Sequence, residues 1–211
     1  MLIPQITLLP YVRNAGSGKE QARPVLARRL GCSVTKIRMG QNANGKPFLE
    51  DLPSVHISIT HSRNLMAVYA GPQEAGIDLE YLKDRGTMEE IVRNFFSPAE
   101  RKFFFAEPGF KTERFYAVWT EKEARLKKEG GTLSEGLFNP PDAALTGKHW
   151  RISAAAAVGP TGKITDQYLL CAVAPQSTLD QLTLIQTEGL PAVTCALFTP
   201  RALYSPLKNP F

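Results

Sequence analysis

Two carboxylates, Asp78 and Glu80, stand two residues apart in the segment AGIDLE, shortly after the apolar run LMAVYAG. Successive side chains of a strand alternate between its faces, so residues two apart point the same way. Read as a strand, the segment aims both carboxylates at one place and turns Leu79 to the other side. Two anions held close repel each other and shift each other's proton affinity unless a cation lies between them. A hard divalent ion such as Mg²⁺ suits that position, because it prefers oxygen ligands and takes others from phosphates and water. The same pattern also fits a strand end whose acids meet water or a neighbouring lysine. Asp-x-Glu alone leaves both open.

The segment WTEKEARLKK adds two groups. Glu123 and Lys127 are i and i+4 and stack on one helix face. On an exposed helix that pair is a surface salt bridge worth roughly a few tenths of a kcal/mol. Trp119 lies one turn before Glu123 on the same face, however, so the face begins apolar, and a buried glutamate requires a cation. A third carboxylate would complete a metal corner, and Lys127, one turn on, would hold a phosphate. Together they would form a site for a metal-bound diphosphate.

The elements that must position these residues are legible around them. The segment from Lys19 to Cys32 has helical apolar spacing and a stop at Gly31, with Pro24 expected in its first turn. VTKIRM reads as a strand or a short connection, and Asn44-Gly45 as a turn. VHISITHS alternates as a strand does, NLMAVYAG is its hairpin partner, and AGIDLE continues as a third strand. TMEEIVRNFF is a helix. A second follows from Ser97 as N-cap, with Pro98 at the first helical position and Glu100 at the capping-box position. The longest helical pattern starts at Lys111, carries Phe115, Val118, Trp119 and Leu126 on its apolar stripe, and ends at Gly130-Gly131. HWRISAAAAVG and ITDQYLLCAVAP read as strands, and TLIQTEG and VTCALFT are further candidates. The order of elements predicts an α+β protein of two similar halves, divided as 1–75 and 76–211.

The totals narrow the classes. The chain has 211 residues, 43% hydrophobic and 21% charged, which is ordinary for a globule with a real core. It holds no run of about 18 apolar residues, so no membrane span or membrane partner is expected. The apolar N-terminus lacks a basic leader and is interrupted by Pro4 and Pro10, which argues against a secretory signal. Cys32, Cys171 and Cys195 are odd in number and far apart, so neither a disulfide framework nor a CxxC metal site is indicated, and a reducing cytoplasm fits. The net charge of +5 favours an acidic partner without choosing among nucleic acid, phosphate-rich ligand and acidic protein.

GIDLE, followed some forty residues later by FYAVWTEKEARLKK, resembles the signature of the 4′-phosphopantetheinyl transferase superfamily, with both halves in order and at the family's spacing. Asn-Gly-Lys-Pro (44–47), ISITHS (57–62) and FFSPAE (95–100) resemble further elements of its larger type. That type activates non-ribosomal peptide and polyketide synthases and is a monomer of two similar α/β halves packed as an intramolecular pseudo-dimer. The resemblance covers roughly residues 20 to 131. It implies transfer of the phosphopantetheine arm of coenzyme A to a serine of an apo acyl or peptidyl carrier protein, releasing adenosine 3′,5′-bisphosphate. By resemblance, Asp78, Glu80 and Glu123 bind Mg²⁺, with Mn²⁺ as an alternative. Glu123 is also the candidate base, and Lys127 contacts the phosphate being transferred. Lys46, Thr60 and His61 hold the 3′-phosphate of coenzyme A, Arg23 contacts the nucleotide, and Glu100 is an accessory acid near the metal.

The positive surface then suits acidic carrier proteins. Lys102, Phe103, Phe104, Phe105 and Phe110 would dock the carrier or pack in the core, and the sequence leaves that choice open. Two features depart from the family pattern. Thr60 stands where the family has serine, and only Arg13 and Lys19 supply positive charge before Arg23. The region from Gly136 carries no recognisable motif. The alternatives are a catalytically silent family member and a basic nucleic-acid-binding domain. Against the second, the basic residues are scattered among acids and no nucleic-acid-binding motif is present, so no nucleic-acid partner is expected.

Overall fold

Ser17 decides where the first helix begins. Its hydroxyl accepts the Glu20 N–H while the Glu20 carboxylate accepts the Ser17 N–H, a capping box. After β1 (Gln5–Pro10), α1 (Gly18–Leu30) therefore starts at Gly18 and ends on Gly31 at φ +65°. Pro24 consequently lies inside α1 and not in its first turn as expected, because the cap forms before Lys19. VTKIRM is a connection, with a short 3-10 turn at Val34–Lys36. β2 (Met39–Gln41) and β3 (Pro47–Leu49) form a small hairpin, and β4 (His56–Ser62) and β5 (Leu65–Gly71) a longer one. β6 (Gly76–Tyr81) precedes α2 (Met88–Phe95), α3 (Pro98–Phe104) and α4 (Lys111–Glu129). Ser97 and Glu100 make the expected capping box on α3. β7 (Lys148–Gly159) and β8 (Gly162–Val173) form a hairpin, followed by α5 (Gln176–Gln181), β9 (Thr183–Gln186) and β10 (Val193–Phe198).

The computed structural model describes residues 2–106, 109–131, 146–159, 162–187, 190 and 193–200. Its strands form two four-stranded sheets, ordered β4-β5-β1-β9 and β10-β7-β8-β6. Every neighbouring pair is antiparallel except β1 and β9, which run parallel. The main core lies between the sheets, where Ile6, Leu8 and Tyr69 meet Ile77, Leu79, Trp150 and Leu170. α1 covers the outer face of the first sheet through Ala22 and Leu26. α2, α3 and α4 cover the second through Val92, Phe104, Phe115 and Leu169. The chain is thus a mixed α/β protein layered helix, sheet, sheet, helix.

The second sheet begins at Gly76, beside the expected boundary. The first sheet, however, takes its outer strand β9 from beyond residue 180, so residues 1–75 do not build it alone. β9 covers the edge of β1 and adds Leu184 to the main core. The region from Gly136 lies partly outside the described residues, as does the chain after 200.

Candidate active site

Gly76 is the point where strand and helix come closest. A Cβ built there would lie 1.8 Å from the Ala124 carbonyl oxygen and 2.4 Å from the Lys128 nitrogen, both backbone atoms of α4. Only glycine permits this approach. It brings the helix turn carrying Glu123 and Lys127 down beside the carboxylates of β6.

Asp78 is buried, with 4% of its surface exposed, and Glu80 and Glu123 are half-buried. The Lys127 ammonium lies 2.6 Å from Asp78 Oδ1 and 3.2 Å from the Thr60 hydroxyl, which itself donates to Asp78 Oδ1 at 3.2 Å. Ser62 donates to Glu80 Oε2 at 3.3 Å. Burial pushes both the Glu80 and Glu123 carboxyls above the usual carboxylate range, and the Asp78 anion pushes each further. Lys127 opposes both shifts. The Asp78 charge thus acts on both Glu80 and Glu123.

The donor set fits a divalent ion. Asp78 Oδ2 is buried without a hydrogen-bond partner, and a buried anionic oxygen in that state requires a cation. Three carboxylates with oxygen donors suit Mg²⁺ or Mn²⁺. Lys127 is the cation that stands against Asp78 Oδ1.

Glu123 and Lys127 open into a groove also lined by Asn44, Lys46, Pro47 and Gly130. The β2–β3 turn forms its wall and closes the C-terminal end of α4. Asn44 donates to the Gly130 carbonyl and Lys46 to the Lys128 carbonyl, so a cation meets the negative end of the helix. Lys46 also pairs with Glu74. His61 stacks on Tyr11, ring centroids 3.9 Å apart, and burial followed by the Lys127 charge holds its imidazole below the ordinary value. Arg23 lies exposed on α1. Glu100 accepts the Ser97 N–H and pairs with Lys122 at 2.9 Å. Lys46 therefore lines the groove beside Glu123 and Lys127, His61 stacks on Tyr11 on the face of β4 opposite Thr60, Arg23 is exposed on α1, and Glu100 pairs with Lys122.

Residues 74–173 match the family model described as the 4′-phosphopantetheinyl transferase superfamily. Nearly half of the chain is thus similar to the 4′-phosphopantetheinyl transferase superfamily. The chain is 34% identical over 113 residues to a 4′-phosphopantetheinyl transferase of Bacillus subtilis, covering 53% of this chain and 50% of that one. The Bacillus subtilis transferase Sfp is 34% identical over 118 residues, 56% of this chain and 52% of its own. The transferase HetI of a Nostoc species is 29% identical over 128 residues, 58% and 54% of the two chains. The chain spans about half the length of the curated relatives it matches.

The two residues just before Glu123 are buried charges that sequence reasoning passed over. Lys122 is 6% exposed, close enough to Glu100 for an ion pair but not aligned as a hydrogen bond. Glu121 is 3% exposed and lies near His149 and Cys171, all three offering ligand atoms within 4.8 Å of one another. That cluster does not call for a metal. Glu121 already accepts from Arg125 at 3.0 Å, Thr146 N–H at 2.8 Å and Gly147 N–H at 3.1 Å. Both His149 nitrogens face carbonyls, of Gly147 at 3.0 Å and Ala117 at 3.2 Å. The cluster fastens the entry to β7 onto α4. No sequence pattern marked it, because apart from Arg125 its partners sit more than 20 residues from Glu121.

The raised Glu123 carboxyl carries a stability consequence. A carboxyl that binds its proton more tightly when folded than when unfolded withholds stability at neutral pH and returns it as pH falls through the raised range. Metal-free Glu123→Gln protein is therefore expected to be more stable than the metal-free wild type at about pH 8, with the gap narrowing toward about pH 5. Urea denaturation across that range reads it; a gap independent of pH would show that Glu123 titrates as an ordinary glutamate.

Proposed function

We propose that this chain transfers the 4′-phosphopantetheine arm of coenzyme A to a serine of an apo acyl or peptidyl carrier protein, releasing adenosine 3′,5′-bisphosphate. The observation that carries the reading is the Lys127 ammonium 2.6 Å from Asp78 Oδ1, carried on a helix that packs against β6 more than 40 residues away, beside an Asp78 Oδ2 buried without a hydrogen-bond partner. Asp78, Glu80 and Glu123 would hold Mg²⁺ or Mn²⁺, which when bound supplies positive charge to the diphosphate of coenzyme A.

Glu123, its carboxyl raised by burial, is suited to take the proton of the carrier serine. The serine oxygen bonds to the phosphorus bearing the pantetheine arm. The bond from that phosphorus to the bridging oxygen of the diphosphate breaks, and adenosine 3′,5′-bisphosphate leaves with the electron pair. Lys127 turns its ammonium from Asp78 to the transferred phosphoryl group, a reaction in which positioning and charge neutralisation do most of the work. Lys46 lines the groove and, with His61, would take the 3′-phosphate, while Arg23 would contact the nucleotide. Glu100 would act indirectly, by holding the residue before Glu123.

Phe105 and Phe110 are 39% and 57% exposed, while Phe103 and Phe104 are buried. The docking face for an acidic carrier is thus drawn from Phe105, Phe110 and Lys102, with Arg93 and Lys111 close over the Phe105 ring. The layering of helix, sheet, sheet and helix supports two α/β halves packed within one chain as a pseudo-dimer, and the reading extends to a monomer acting in the cytoplasm. Among the described residues no helix is long and apolar enough to cross a membrane.

Incubating the protein with an apo carrier, coenzyme A and Mg²⁺ is expected to add the mass of one phosphopantetheine arm to the carrier, and EDTA to abolish the gain. An unmodified carrier across a panel of acyl and peptidyl carriers would overturn the assignment.

A further inference from the structure

β4 and β6 are edge strands of different sheets, yet they lie side by side without a backbone ladder between them. Their junction is made by hydroxyls. Ser58 accepts the Ile77 N–H at 3.1 Å, Thr60 the Leu79 N–H at 3.2 Å and Ser62 the Tyr81 N–H at 3.0 Å. The offset is constant, so the two strands run parallel and every second residue of β4 makes a rung. Strand alternation puts Ser58, Thr60 and Ser62 on one side, opposite Ile57, which packs under α1.

Each hydroxyl has one proton to donate after accepting from β6. Thr60 gives its proton to Asp78 and Ser62 gives its proton to Glu80. The rung at residue i thus accepts from the backbone of i+19 and donates to the carboxylate of i+18. At the third rung, residue i+18 is Gly76, which has no side chain. Ser58 therefore joins the same strands at the same spacing without touching a carboxylate. Thr60 is 5% exposed, and its lone pairs are taken by Leu79 and Lys127. Its hydroxyl is committed to the acid cluster.

We propose that Thr60 and Ser62 are positioning residues that set the rotamers of Asp78 and Glu80 for the divalent ion, so that the sheet junction and the metal site are one structure. This rests on the functional reading above, and it makes Thr60 a support for Asp78 and not a ligand of the coenzyme A 3′-phosphate. Outer partners that orient a ligating carboxylate typically change metal affinity by about 10–100-fold when removed.

The test compares Thr60→Val, Thr60→Ser, Ser62→Ala and Ser58→Ala. Mn²⁺ binding is read by electron paramagnetic resonance, stability by thermal melting, and KM for coenzyme A against 3′-dephospho-coenzyme A. Thr60→Val and Ser62→Ala are expected to weaken Mn²⁺ binding about tenfold or more, with Thr60→Ser close to wild type. Ser58→Ala is expected to lower the melting temperature while leaving Mn²⁺ affinity unchanged. The preference of Thr60→Val for coenzyme A over its 3′-dephospho form is expected to match wild type. Wild-type Mn²⁺ affinity in both Thr60→Val and Ser62→Ala would overturn the proposal, as would equal loss in Ser58→Ala. Loss of the 3′-phosphate preference in Thr60→Val would make Thr60 a phosphate ligand instead. A wild-type protein that binds no Mn²⁺ would overturn the functional reading itself. Should Thr60→Val not fold, the comparison of Ser62→Ala with Ser58→Ala decides alone.

Discussion

Glu123→Gln is expected to lower phosphopantetheine transfer by roughly 10³-fold or more, combining loss of a base with weakening of the ion site. The amide keeps the shape of the carboxylate but neither takes the serine proton nor carries charge to a cation. Glu123 stands on the buried turn of α4 beside Asp78, and burial together with that neighbour raises its proton affinity. The same neighbours make the neutral amide tolerable, so the folded protein survives the change. Carrier mass after single-turnover incubation reads the rate, and far-ultraviolet circular dichroism reads the fold. Transfer within a few-fold of wild type would mean that Glu123 is neither base nor essential ligand. A folded variant that gains activity at high Mn²⁺ but stays slow would separate the two roles, since excess metal restores occupancy and not proton transfer.

Gly76→Ala is expected to disable the site from outside it. The added methyl meets the Ala124 carbonyl oxygen and the Lys128 nitrogen, which are helix backbone and cannot rotate away. α4 must move off β6, taking Glu123 and Lys127 with it. A misplacement of about 1 Å in such a site lowers rate by about 10²-fold, and overpacking of this kind costs about 1–3 kcal/mol of stability. Gly86→Ala is the matched control, because a Cβ there meets nothing within 4 Å. Equal effects of the two substitutions, or wild-type transfer by Gly76→Ala, would show that the close approach is not needed.

Much of this chain could be read along its length. Ser97, Pro98 and Glu100 announced α3, and Gly130 announced the end of α4, because caps are made by residues three or four apart. The alternation of β4 to β6 was equally plain. Pro24 was still misplaced, since the box at Ser17 starts α1 at Gly18, well over a turn before the proline. α5 went unseen because its six residues begin after Pro175 with no side-chain cap.

Asp78, Glu80, Glu123 and Lys127 were identifiable as candidates from residue type and spacing within two short segments, since the faces of one strand and one helix follow from their periods. Only the folded chain decided what those faces meet. Nothing along the chain announced the α4 backbone against Gly76 or the Thr60 hydroxyl on Asp78. Those contacts join segments 18 to more than 40 residues apart. Local propensity acts over a few residues and carries no information about such pairings; they are set by how two sheets and a helix pack, which is a property of the whole core.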